Sequence, residues 1–457
     1  MATQALNLTE GKVSKTLLSL AMPSMLGMSF YMVYDLVDLF WIGMISTEAI
    51  AGVTVFSALF WVVGALNDII GQSSISLISQ NHSRKDVEAT NVAIEQTITF
   101  KFFVAFIAAG LLALFMKPIL DLFSDDLVVI QAATDYGYLR LFFLPVMFSS
   151  YSVGTILRCT GDAKTPMKIM AFASILNIVL DPLLIFHTVP LIGIQGAGLG
   201  VFGAAVATVI SESLAFMIGI AYVFSGKREA KPRFRGLFRL HWPTDIKLLT
   251  IGLPLGMESL LRHLSILIVL QFVAVYGTTA LAAGGIGTRI FGFAYIPLFG
   301  LHMAAAAMIG QNLGINNIQR AISSAKTAGL FGVFFMGVFG LICVLFGRQL
   351  VGIFDSTPEI MDMGALLLKF ASVGLIPLGY TFGLSACFGG SGYNNPYAIA
   401  SFIARWLIQL PLLLVAVYVY HLSIIVVWVS YPLADIVESG ILYLYYRQGE
   451  WKLKRVC

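Results

Sequence analysis

A succession of apolar runs, from Leu17 to Tyr446, limits this chain more than any other feature. A helix needs ~20 mostly apolar residues to cross the hydrocarbon core of a bilayer. A single run would be an anchor, but a series makes the membrane the solvent of the whole fold. No water satisfies the backbone there, so each run must close its own hydrogen bonds as a helix. An all-α integral membrane protein is expected. Composition agrees: 58% of the 457 residues are hydrophobic and 11% are charged, against about 25% charged in soluble domains. These values exclude a soluble enzyme, a disordered chain and a nucleic-acid-binding domain.

The first run is too long for a signal-peptide h-region, carries Asp35 and Asp38, and lacks a small-residue cleavage site. Cys159, Cys343, Cys387 and Cys457 show no paired spacing, so no disulfide framework or cysteine metal site is expected. The histidines also lack metal-ligand spacing.

Twelve spans are read, at roughly 17–44, 47–80, 91–116, 127–157, 166–187, 197–224, 246–276, 279–310, 321–347, 359–389, 396–420 and 421–446. Connections are short except for 225–245. That segment holds Lys227, Arg228, Lys231, Arg233, Arg235 and Arg239. The positive-inside rule places it, and with it both termini, in the cytoplasm. The outer loops then carry only Lys117 and Arg348. Position between spans accounts for the basic charge, so no nucleic-acid partner is expected.

Self-comparison shows a duplication. Pro23 matches Pro254, 231 residues later, and TEAIAG at 47–52 matches TTALAA at 278–283. Gln80-Asn81 matches Gln311-Asn312, and Gly161 matches Gly392, at the same offset. The expected organisation is a six-helix lobe at 1–224, a basic cytoplasmic linker at 225–245 and a second six-helix lobe at 246–457. Six is even, so the repeats are parallel and related by a pseudo-two-fold axis along the membrane normal. Two such bundles suit alternating access to a site near the midplane.

Ionisable groups inside spans are costly and point to function by default. The first half holds Asp35, Asp38, Asp68, Asp181 and Glu212. The second holds Arg262, Arg289 and Arg405 with Glu258, Asp435 and Glu438. The lobes thus read as opposite in sign, which directs a cation site to the N-terminal lobe. Glu258 and Arg262 have the spacing of a structural helix pair. Arg289 and Arg405 read as packing or snorkelling groups.

Depth narrows the choice. Asp38 lies six residues before Met44, and Asp181 six before His187. At ~1.5 Å per residue, both carboxylates lie about 9 Å below the outer ends of their spans. Asn177 shares a helix face with Asp181. Pro182 has no N–H to give the Ile178 carbonyl. Two carboxylates, an amide oxygen and a bare carbonyl form an oxygen cage for Na⁺, and the same cage can share a proton. Its alternative is a static polar network. Asp35, one turn from Asp38, is a further candidate. Tyr31 and Tyr34 share the Asp38 face and either line an aromatic cavity for a flat cation or simply pack. Pro23 opens span 1 and permits a bend there.

The motifs resemble those of the multidrug and toxic compound extrusion (MATE) family, over nearly the whole chain. MPSMLGMSFYMVYDLVDLFWIG in span 1 is similar to the family's opening proline and Tyr-Asn-Leu-Val-Asp pattern. LRCTGDAKTPMKIMAFASILNIVLDPLLIF, at 157–186, resembles its Arg-x-x-Gly-Asp-x-x-x-Pro loop followed by Asn-x-x-x-Asp-Pro. The resemblance leans to the DinF-like branch. It implies that Asp38, Asn177 and Asp181 couple transport to a cation, and that Pro23 bends span 1. It implies export of amphipathic organic cations in exchange for H⁺ or Na⁺. Asp35 departs from the pattern, standing where the family commonly has Asn. The NorM-like branch places acids in spans 7 and 10, but Glu258 sits too near Pro254, and span 10 has no acid between Leu366 and Gly389.

The reading is a twelve-span antiporter of the inner or plasma membrane, monomeric, surrounded by membrane lipid and carrying small organic cations. It needs no cofactor beyond the coupling ion and is not an enzyme. A lipid or oligosaccharide flippase of the same superfamily is the alternative. An intramembrane transferase would need clustered catalytic motifs at one membrane face, and a channel a continuous polar stripe.

Overall fold

The computed structural model describes residues 6–123, 125–190, 192–225 and 230–456. Lys227 and Arg228 of the basic linker, and Cys457, lie outside the described residues. The helices are α1 (Val13–Gly43), α2 (Thr47–Ser83), α3 (Val87–Phe123), α4 (Leu127–Phe142), α5 (Leu144–Cys159), α6 (Lys164–Ile185) and α7 (Gly200–Val223). They continue as α8 (Trp242–Ala274), α9 (Thr278–Gly314), α10 (Ile318–Gly352), α11 (Pro358–Ser391), α12 (Asn395–Val419) and α13 (Ile425–Gln448).

Among the described residues, ten helices are long and apolar enough to cross a membrane. Two bent pairs, Thr47–Phe60 with Val63–Ser83 and Leu127–Phe142 with Leu144–Cys159, bring the number to twelve when each pair is one span. The second pair bends by 57°. Pro145 falls in the first turn of α5, where a missing N–H leaves no bond unmade. The span read as 127–157 is therefore a broken helix. The span read as 396–420 carries π-type turns at Phe402–Gln409 and Val415–Val419.

Contacts divide the chain into two compact units. The first contains Leu26–Thr250. Its core joins Ile42, Phe56, Met116, Tyr136 and Leu144. Phe106 and Leu114 of α3 stay 64% and 70% exposed, which suits a helix face against lipid tails. The 230–245 stretch is no loose loop, because α3 clamps it. Asn91 Oδ1 accepts from Lys231 N at 2.8 Å, and Glu95 Oε1 from Arg233 N at 2.6 Å. Gln96 Nε2 donates to Arg239 O at 2.8 Å, and Thr99 Oγ1 to Leu237 O at 3.0 Å.

The second unit contains Asn7–Met25 and Ile251–Cys457. This grouping differs from the expected division at 1–224, 225–245 and 246–457, since the first half of α1 goes with the second unit. The reason is local. Gly300 has no side chain, so the Met25 backbone nitrogen lies only 2.7 Å from where a Cβ would stand. Leu8 O accepts from Asn312 Nδ2 at 3.1 Å and from Arg320 Nε at 3.3 Å. Helices α10 and α11 approach at Gly332, where a Cβ would stand 1.9 Å from Gly379 O. The core around them includes Val269, Leu367, Leu413 and Trp428.

Candidate functional site

Within the first unit, α1 and α6 bury Asp38, Asn177 and Asp181. Helices α1 and α6 pack together near these acids, with the Trp41 and Phe186 rings 5.9 Å apart, so the two carboxylates lie on neighbouring helices. Asn177 Nδ2 donates to Asp181 Oδ1 at 3.2 Å and to Thr208 Oγ1 of α7 at 3.4 Å. Tyr136 of α4 donates its hydroxyl to Asp38 Oδ2 at 2.8 Å. One oxygen on each acidic or amide side chain is left over. Asp38 Oδ1, Asn177 Oδ1 and Asp181 Oδ2 are buried and have no hydrogen-bond partner. Such groups are expensive in an apolar interior unless something binds them. Pro182 lies inside α6, and its missing N–H leaves the Ile178 carbonyl without its helical donor. The donor set is all oxygen, which suits a hard monovalent cation or a shared proton. Among the described residues, no group of three or more His, Cys, Asp or Glu is placed to hold a metal ion.

The other candidates separate. Tyr34 is buried and donates to Glu212 Oε1 of α7 at 3.4 Å. Its ring meets Tyr31 edge-on at 4.9 Å between centroids. Asp35 is exposed rather than enclosed with Asp38. Pro23 lies inside α1, in the half that groups with the second unit.

The structure adds residues that the sequence reading passed over: Tyr136, Arg140, Thr208 and Lys101. Arg140 Nη1 donates to Tyr136 Oη at 2.7 Å. Its guanidinium stands 4.7 Å from the Phe60 ring centroid and 5.0 Å from that of Tyr136. Lys101 is fully buried, 4.8 Å over the Tyr151 ring, and within electrostatic reach of Asp68 and Arg158. The expected contrast in sign between the lobes therefore does not hold. The first unit buries Lys101, Arg140 and Arg158 along with its acids. An arginine four residues after a tyrosine inside span 4 was the available signal, by the same rule that singled out the acids.

The second unit pairs its charges. Arg262 meets Glu258 and Glu438, each at 2.5 Å. Arg405, on the π-type stretch of α12, meets Asp435 at 3.1 Å and Glu438 at 3.2 Å. Glu258 and Arg262 form the expected helix pair. Arg405 is an ion-paired, buried group and not a snorkelling one, because two carboxylates of α13 lie beside it. Arg289 is exposed.

The MatE family model matches residues 23–183 and again 254–415, so its two matches start 231 residues apart, the offset of the internal repeat. The chain is 29% identical over 421 residues to "Probable multidrug resistance protein YoeA" of Bacillus subtilis, covering 91% of this chain and 88% of that one. It is 25% identical over 451 residues to "Probable multidrug resistance protein NorM" of Thermotoga maritima, covering 97% and 94%. A solved MOP superfamily transporter from Pyrococcus furiosus has the same fold, with a TM-score of 0.87 at 22% identity over 98% of both chains. With the family model covering well over half of the chain, the protein belongs to the MatE family, whose members are membrane transporters and not enzymes.

Proposed function

We propose that the protein exports small organic cations in exchange for an inward-moving H⁺ or Na⁺, which binds at Asp38, Asn177 and Asp181. The observation that carries this reading is the set of three buried, unpartnered oxygens, one on each of these side chains. The chain's relatives, named as probable multidrug resistance proteins, support the drug side. Two neighbouring carboxylates attract the ion, and the Asn177 and Ile178 carbonyl oxygens complete its shell. Tyr31 and Tyr34 offer ring faces to a flat cation. Coupling then requires that ion and drug favour opposite states of the protein, and Pro23 and Pro182 mark where helices α1 and α6 yield. The protein works as a monomer in the cell membrane, with both termini in the cytoplasm.

A lipid or oligosaccharide flippase is the second reading. Buried Lys101, Arg140 and Arg158 favour it, since interior cations suit an anionic headgroup. The test is dye export from reconstituted vesicles, with H⁺ and Na⁺ gradients imposed separately. Antiport predicts movement of an ethidium-like dye under one gradient. If folded protein moves no cationic dye under either, drug export fails and the flippase reading leads.

A further inference from the structure

The Tyr136 hydroxyl sits between an arginine and a carboxylate, and that fixes where its proton points. A guanidinium has donors only. Arg140 Nη1 lies 2.7 Å from the Tyr136 oxygen, so that oxygen accepts on the arginine side. Its single hydrogen is left for Asp38 Oδ2, 2.8 Å away. Tyr136 and Arg140 stand four residues apart on α4 and so share a face. Phe60 of α2 and the Tyr136 ring hold the guanidinium in place. Asp38 Oδ2 is therefore committed to a donor, while Oδ1 has none.

We infer that Arg140 is a positioning residue for the coupling site: it holds Tyr136 as a donor to Asp38 Oδ2 and so reserves Oδ1 for the ion. This rests on the ion site proposed above. A purely electrostatic role is the competing account. The Arg140 charge reaches Tyr31, Tyr34, Asp35, Asp38 and Glu212, and a like charge near the site would weaken cation binding. The two accounts predict opposite signs. Removing a partner that orients a ligand carboxylate weakens ion binding about tenfold or more. Removing a nearby like charge tightens it.

The test uses the purified full chain. Its unfolding midpoint is followed against sodium chloride at fixed pH, with choline chloride holding ionic strength, and against pH in choline alone. For whichever ion stabilises the parent protein, Tyr136→Phe and Arg140→Met each raise the half-saturating concentration about tenfold. The double variant is no worse than either single, because both remove the same link. Arg140→Lys, which keeps a donor-only cation, restores most of the response. If Arg140→Met tightens ion binding or leaves it unchanged, the inference is overturned. It is also overturned if the two single effects multiply in the double. Should Arg140→Met not fold, Tyr136→Phe with and without Arg140→Lys makes the same comparison, and the lysine must then add nothing. Asp38→Asn is the control. If the parent shows no ion response that Asp38→Asn removes, the ion site itself fails and takes this inference with it. If that control behaves and the Arg140 variants do not, the inference fails alone.

Discussion

Glu438→Gln tests the buried charge network of the second unit. Glu438 accepts from Arg262 Nη2 at 2.5 Å on Oε1 and from Arg405 Nη2 at 3.2 Å on Oε2. Hydrogen bonds to charged groups contribute about 1.5–3 kcal/mol each. Breaking a buried pair outright costs about 3–5 kcal/mol, because a bare charge remains. Here neither arginine is left bare. Arg262 keeps Glu258 at 2.5 Å, and Arg405 keeps Asp435 at 3.1 Å. Glutamine also retains one acceptor oxygen. The expected loss is therefore about 2–3 kcal/mol, below full rupture. At ~2–4 °C per kcal/mol for a unit of this size, the midpoint falls by roughly 5–10 °C. The assay is thermal unfolding of purified protein in detergent, with exposed Glu359→Gln as control. If Glu438→Gln melts with the control, the ion-paired reading of Arg405 and Glu438 is wrong.

Three further outcomes follow from the geometry. Gly332→Val drives a side chain into the Gly379 carbonyl of α11 and should cut the yield of folded protein sharply, whereas Gly337→Ala, with open space around it, should be tolerated in the same expression assay. Asp35→Asn should slow gradient-driven export far less than Asp38→Asn, because Asp35 is exposed and Asp38 buried; equal losses would place both acids in the ion site. Pro23→Ala should slow turnover without moving the half-saturating ion concentration, since Pro23 stands on the part of α1 that groups with the second unit; a shift in ion affinity would contradict a purely conformational role.

Much of the architecture was legible because a bilayer imposes strong rules on sequence. The apolar runs, the 231-residue repeat and the position of basic residues each report a membrane constraint. The breaks inside spans were less legible: Pro145 reads in sequence as a repeat landmark, and only the bend beside Phe143 places it in the first turn of a new helix. Asp38, Asn177 and Asp181 could be grouped by depth, because helix rise converts residue counts into height. Lateral neighbours have no such ruler. Nothing in the spacing tells that Tyr136 of span 4 reaches Asp38 of span 1, or that Thr208 of span 6 reaches Asn177. The acids of the first half do not set its sign alone, because Lys101 of span 3, Arg140 of span 4 and Arg158 at the end of span 4 lie in helices that hold none of those acids. The pairing of α1's first half with the second unit depends on a missing side chain at Gly300, a packing fact with no signature in span 1 itself.

The central claim is that Asp38 couples ion entry to drug exit. It is tested most directly by measuring dye binding and gradient-driven dye export side by side for the parent protein and Asp38→Asn in the same vesicles. The account predicts that Asp38→Asn still binds dye but no longer exports it under the gradient that drives the parent. Export that survives in Asp38→Asn at the parent rate would contradict it.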